Sequence, residues 1–170
     1  MQNKGVNEIS VMGVRERLKT RMAIVREDLD EVLQRLSDDD MPWAPADGMR
    51  TIGGQLAEIA GTERQLLAWM RDGKHLTFQE AEDFGESANT LSGMKNALNQ
   101  TRRETLAYLD SLSDEDLETP APFPERWFES LRQPMMHRSE AFRSIAQHEW
   151  YHVGQLVSYL WSRGDDPYQW

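Results

Sequence analysis

Apolar residues return along the first part of the chain at helical intervals. Leu18, Met22, Val25, Leu29, Val32 and Leu36 step by 4, 3, 4, 3 and 4, which keeps one stripe on a helix of 3.6 residues per turn. Arg21, Glu27, Asp28, Glu31 and Arg35 take the opposite face, so the spacing predicts an amphipathic helix from about Asn7 to Leu36. "SDDDMPWAPADG" then stops it with Pro42, Pro45 and Gly48, and Trp43 inside that loop is expected to plug the end of a core. A second stripe, Ile52, Leu56, Ile59, Leu66 and Met70, predicts a helix from about Thr51 to Arg71, with Thr51 as its N-cap and "DGKH" as its end. Gly53 and Gly54 weaken its first turn.

A third helix is predicted from Asn89 to Leu112, with Leu91, Met94, Leu98, Thr101, Thr105, Tyr108 and Leu112 in register. "SDEDL" after it reads as a single capped turn, with Ser113 as cap and Asp116 three residues on. Residues 118–134 are rich in proline and read as a loop with aromatic plugs. The last helix runs from Ser139 to about Arg163 on Phe142, Ile145, Glu149, His152, Leu156 and Leu160, and Gly164 with Pro167 ends it. Strand-like alternation is nearly absent. Four long helices around one core predict an all-α chain, a four-helix bundle in a single domain over residues 1–170. Long connections after the first and third helices leave room for an order other than simple up-down.

Composition narrows the chemistry. With 29 acidic against 19 basic residues the net charge is −10, which repels phosphate backbones and anionic lipid, so neither nucleic acid nor membrane is an expected partner. The short basic strip Arg102 and Arg103 does not reverse that balance. No cysteine is present, which excludes disulfides, zinc–thiolate sites and a cysteine nucleophile. No apolar run approaches the ~18 residues of a membrane span. "MQNKGVNEIS" lacks the basic and apolar regions of a signal peptide, so the cytoplasm is the expected compartment.

Two of the four histidines, His148 and His152, stand one helical turn apart in "AQHEWYHVGQL". On a helical wheel His152 lies within roughly 60° of the apolar centre, His148 roughly 100° from it on the same side, and Glu149 points nearly into the core. Such an i, i+4 pair presents two imidazoles to one ion. The same pair also suits two half-buried histidines, each hydrogen-bonded to a backbone or carboxylate partner, and both readings stay open on spacing alone. A metal site needs a third ligand. The second helix offers Glu58, on the flank of its stripe, and Glu63, almost at its apolar centre. Glu63 equally suits a buried ion pair with an arginine such as Arg17 or Arg21. His75 and His137 fall in loops and are expected to be solvated. The terminal aromatics Trp161, Tyr168 and Trp170 suit either core packing at the bundle's end or contacts to a ligand or a second copy.

The stretch "AQHEWYHVGQLVSYLWSRGDDP" resembles the last helix of the DinB/YfiT-like superfamily, with H-x-x-x-H and an ending near G-x-D-P, although Val153 stands where arginine is common. "TIGGQLAEIAGTERQLL" resembles that family's second helix, and the alignment puts Glu58 in the place of its third metal histidine. "MPWAPADGMRTIG" resembles the W-x-P segment before it. The resemblance implies a bundle with up-down-down-up connectivity, commonly a homodimer, holding a divalent metal ion, zinc or nickel first, on Glu58, His148 and His152. Manganese and iron also suit a site with a carboxylate ligand. Some members of the family transfer low-molecular-weight thiols, so the resemblance implies an enzyme that transfers a thiol to, or hydrolyses, a small electrophilic substrate. On that reading Glu149 or Glu63 orients a ligand histidine or acts as the base. Arg143, a turn before the site, would hold an anionic group of the substrate. The alternative is a non-enzymatic, dimeric ligand-binding or stress-response bundle whose metal site is weak or vestigial.

Overall fold

The computed structural model describes residues 12–121 and 135–170. Among the described residues six α-helices follow one another: α1 (Val14–Gln34), α2 (Ile52–Asp72), α3 (Phe78–Glu82), α4 (Leu91–Ser111), α5 (Asp114–Leu117) and α6 (Arg138–Ser162). The four long ones are the four predicted from periodicity, and there is no named strand among the described residues. Residues 7–11 of the first predicted helix, and most of the proline-rich loop, lie outside the described residues.

Local chemistry sets the ends. The Thr51 hydroxyl accepts from the Gly54 amide at 3.0 Å, and Thr90 does the same for Gly93 at 3.1 Å, so α4 starts at Leu91, the first residue of its stripe, two residues after the predicted Asn89. Ser113 and Asp116 form the expected reciprocal capping box on α5. Gly73, at φ 61°, closes α2 in the left-handed conformation that glycine adopts without strain.

The stripes meet in two apolar clusters. One joins Leu33 from the end of α1, Ile52 and Leu56 from the start of α2, Leu91 and Met94 from the start of α4, and Leu156 and Leu160 from the end of α6. The other joins Leu18 and Met22, Trp69 and Met70, Leu109, and Phe142 and Ile145, from the opposite ends of the same helices. Helices α1 and α6 therefore run one way and α2 and α4 the other, which is up-down-down-up. Around the ring α1 packs on α6, α6 on α2 and α2 on α4. The parallel pair α2 and α4 forces residues 73–90 to climb back along the bundle, about 30 Å for helices of this length. That connection carries α3 across the face of α2.

Its last turn, Gly85–Asn89, is pressed onto α4 at Gly93. A Cβ at position 93 would stand 2.2 Å from the Ser87 carbonyl oxygen and 2.8 Å from its Cα. Backbone atoms yield poorly, so Gly93→Ala is expected to lower stability by roughly 1–3 kcal/mol in thermal melts, despite the better helix propensity of alanine. An unchanged Tm would show that the turn lifts off at no cost. Trp43 fills the role expected of it: its ring packs on the first cluster, edge-on to Tyr159 at 6.0 Å.

Candidate functional site

Glu58 and the two histidines come together from α2 and α6. The His152 and His148 Nε2 atoms are 3.2 Å apart, and Glu58 Oε1 is 3.7 Å from the first and 3.9 Å from the second. They are the one group of three such side chains among the described residues able to share an ion. A tetrahedral ion with ligands at about 2.0–2.1 Å separates its donors by roughly 3.3 Å, so this triangle already has nearly the size that one zinc-like ion needs. Two nitrogens and one carboxylate oxygen suit zinc, nickel, iron or manganese alike.

The electrostatics fit the same use. Burial lowers the pKa of His148 to about 4, helped by His152 and Arg50, and burial likewise lowers that of His152. His148, at least, is therefore neutral at pH 7 and presents a lone pair instead of a charge. Burial raises the Glu58 carboxyl, against the pull of Arg50. Arg50 grips the outer carboxylate oxygen of Glu58 at 2.9 Å and Glu82 of α3 at 2.9 Å, leaving Oε1 facing the histidines. Gly54 makes room for this reach: a Cβ there would lie 2.8 Å from Arg50 Cγ.

The chain reaches the site from elements that periodicity does not connect. Gln55, one turn before Glu58, holds His152 Nδ1 through its side-chain oxygen. Its amide nitrogen lies 3.2 Å from the Tyr159 hydroxyl, which donates to the Arg50 carbonyl at 3.0 Å. The Thr62 hydroxyl stands 3.4 Å from His148 Nε2. The site opens between His148 and Glu58, whose side chains are 26% and 28% exposed, while His152 is closed in at 4%. Tyr151, at 63% exposure, stands edge-on to His152 beside that opening.

Glu149 and Glu63 were expected as orienting groups or a base, with a buried ion pair to an arginine as the other reading of Glu63. Their oxygens meet arginines. Glu149 accepts from Arg26 Nε at 2.6 Å and from Arg102, and Glu63 accepts from Arg102 at 2.8 and 3.0 Å. Arg26 Nη2 stands 3.8 Å from Glu63, and Arg102 also donates to the Met22 carbonyl. One charge from each long helix thus meets in the middle of the bundle. Burial alone would loosen the Arg102 proton, but Glu63 and Glu149 outweigh it and hold the guanidinium charged. The second ring nitrogen of His152 is held by Gln55, not by a carboxylate.

Four arginines foreseen in other roles need correction. Arg102 is buried in this network, not part of a basic surface strip, because its position on α4 faces two acids that need a cation. Arg17 and Arg21 do not pair with Glu63: Arg17 turns to the Met12 carbonyl, since both lie on the outer side of α1. Arg143 is exposed, and the arginine at the triad is Arg50. His75 is solvated as expected, with its ring edge on Trp69, and His137 is half-buried at the start of α6. Of the terminal aromatics, Trp170 packs on the first cluster beneath Arg35, whereas Trp161 and Tyr168 stand exposed and stack edge-on at 5.6 Å. A cavity of about 400 Å³ between α1 and α6, lined by Ile24, Arg21 and Trp150, includes no residue of the triad. No helix among the described residues is long and apolar enough to cross a membrane.

Comparison with known proteins extends the picture. A structure titled "Sibling Lethal Factor Precursor - DfsB" matches with a TM-score of 0.68 at 19% identity, covering 88% of this chain and 95% of that one. An uncharacterised protein from Clostridium difficile matches with 0.69 at 17% identity, covering 90% and 97%. A DinB-like protein from Bacillus cereus matches with 0.64 at 17%, covering 86% and 91%. At these identities the likeness concerns the fold. No curated protein matches the sequence. Residues 21–156, which hold all four long helices save the ends of the first and last, match the DinB superfamily, and the chain belongs to it.

Proposed function

We propose that this chain is a divalent-metal-dependent enzyme that brings a low-molecular-weight thiol, or water, to a small electrophilic substrate. The observation that carries this reading is the convergence of Glu58 Oε1, His148 Nε2 and His152 Nε2 on one small triangle with solvent on one side. A bound divalent ion supplies Lewis acidity, which keeps a thiol or water deprotonated near neutral pH. Glu58, His148 and His152 would hold it, and the burial that keeps His148 neutral would keep protons from competing. Arg50 fixes the carboxylate and is itself held by Glu82. The Thr62 hydroxyl, 3.4 Å from His148 Nε2, adds a polar group at the edge of the triangle.

One observation favours the non-enzymatic alternative, a ligand-binding or stress-response bundle. The Arg50 ion pair, 2.9 Å from the Glu58 carboxylate, competes with a metal for it. Metal content separates the two. Mass spectrometry of the untagged protein is expected to find about one divalent ion per chain, lost in both His148→Ala and Glu58→Ala. If the wild type takes up none after incubation with zinc, nickel and manganese, the enzymatic reading falls.

A further inference from the structure

We propose that Gln55 and Tyr159 are positioning residues that hold His152 in its Nδ1–H tautomer, so that its Nε2 lone pair is always turned toward Glu58 and His148. The benefit for metal binding rests on the reading above; the tautomer itself does not.

The direction of every bond in the relay follows from its far end. The Arg50 carbonyl accepts and cannot donate, so the Tyr159 hydroxyl, 3.0 Å away, spends its single proton there. Toward Gln55 Nε2, at 3.2 Å, the same hydroxyl is left to accept. That requirement orients an amide whose two ends are otherwise interchangeable. The oxygen of Gln55 then faces His152, and an amide oxygen accepts only, so Nδ1 must carry the hydrogen. In the neutral ring the lone pair is left on Nε2.

Burial makes the relay strict. Gln55, Tyr159 and His152 are 3%, 6% and 3% exposed, so water has no place from which to substitute for a lost partner. The parts come from separate elements. Gln55 lies three residues before Glu58 on α2, and Tyr159 lies seven after His152 on the same face of α6. Trp43 backs the phenol ring, and the Trp43 carbonyl accepts from the Ile52 amide at 2.9 Å, which ties the loop carrying Arg50 to the start of α2.

Nitrogen-15 NMR of histidine-labelled, metal-free protein tests this in the wild type and in Tyr159→Phe, Gln55→Leu and Gln55→Glu. The wild type is expected to show His152 as pure Nδ1–H. Gln55→Glu keeps that pattern, because a carboxylate accepts the same bond. Tyr159→Phe, which deletes one oxygen, and Gln55→Leu are expected to give a mixture of tautomers. In a chelator competition with zinc alone, Gln55→Leu is expected to bind about 10- to 100-fold more weakly at unchanged helix content. A wild-type His152 protonated at Nε2, or a pure Nδ1–H signal in both Gln55→Leu and Tyr159→Phe, overturns the inference. A wild type with the expected tautomer but no zinc uptake overturns the metal reading alone.

Discussion

Arg102→Met is expected to cost about 3–5 kcal/mol of unfolding free energy, the largest loss foreseen for a single substitution in this chain. Arg102 donates to Glu63 through two nitrogens and to Glu149 through one, and all three are at least nine-tenths buried. Removing it leaves two buried carboxylates facing Arg26 alone, an uncompensated charge in the centre of the bundle. Methionine fills much of the volume, so lost packing contributes little. Urea titration is the direct measurement, and Tm should fall by roughly 10 °C for a chain of this size. Added salt should barely change the loss, because the pairs are out of reach of counterions. The same physics predicts the control. Replacing Arg26, Glu63, Arg102 and Glu149 together by Met and Leu removes all four charges and is expected to be far milder than Arg102→Met alone. A loss below about 1 kcal/mol in the single variant would mean that water enters the network and that the four-helix crossing is not buried in solution.

The second large effect is on acid stability. His148 has a pKa of about 4 in the folded chain, against an ordinary value of 6.5. As the pH falls below 6.5, the unfolded chain takes up a proton that the folded chain refuses. Stability from this group is therefore complete above 6.5 and is lost progressively down to about 4. The shift amounts to at most about 3 kcal/mol. His152, lowered in the same direction, adds to the loss, whereas the raised Glu58 carboxyl works against it. The difference between wild type and His148→Gln therefore isolates the imidazole better than the wild-type curve does. Urea midpoints of the metal-free protein at pH 7.5, 6 and 5 should converge between the two as the pH falls. Parallel curves would show that His148 is solvated and that the triangle opens in solution.

Most of the fold was legible in the chain because the signal for a long amphipathic helix is local. Every residue of the stripe from Leu18 to Leu36 is buried, as is every residue of the stripes on α2 and α6. Thr51, Ser113 and Gly73 act through neighbours within one turn, so the ends of these elements were also local matters. The triad was legible in part: the i, i+4 histidines stood out by their spacing, Glu58 was singled out through the resemblance of its helix to the family's second helix, and the structure brings all three together. The cations that answer Glu63 and Glu149 were not. Their signal was present, since two acids at apolar centres require two bases on facing stripes. Arg26 lies four residues after Met22 and Arg102 four after Leu98, each on the edge of its stripe. Periodicity counts apolar residues and passes over a charge beside them.

What the sequence determined by itself is what a single helix can express: four amphipathic segments, their caps, an acidic surface and a pair of stacked imidazoles. The tertiary structure decided everything that depends on which faces meet. It set α2 parallel to α4, which sent residues 73–90 back along the bundle and brought Glu82 to Arg50, 32 residues apart in the chain. It turned Glu149 toward Arg26, 123 residues away, instead of toward its neighbour His148. It gave His152 a partner 97 residues distant in Gln55. The physical reason is common to all three. A buried polar atom must find a partner, and in a bundle the nearest one lies across the core on another helix, at a separation that no local pattern records.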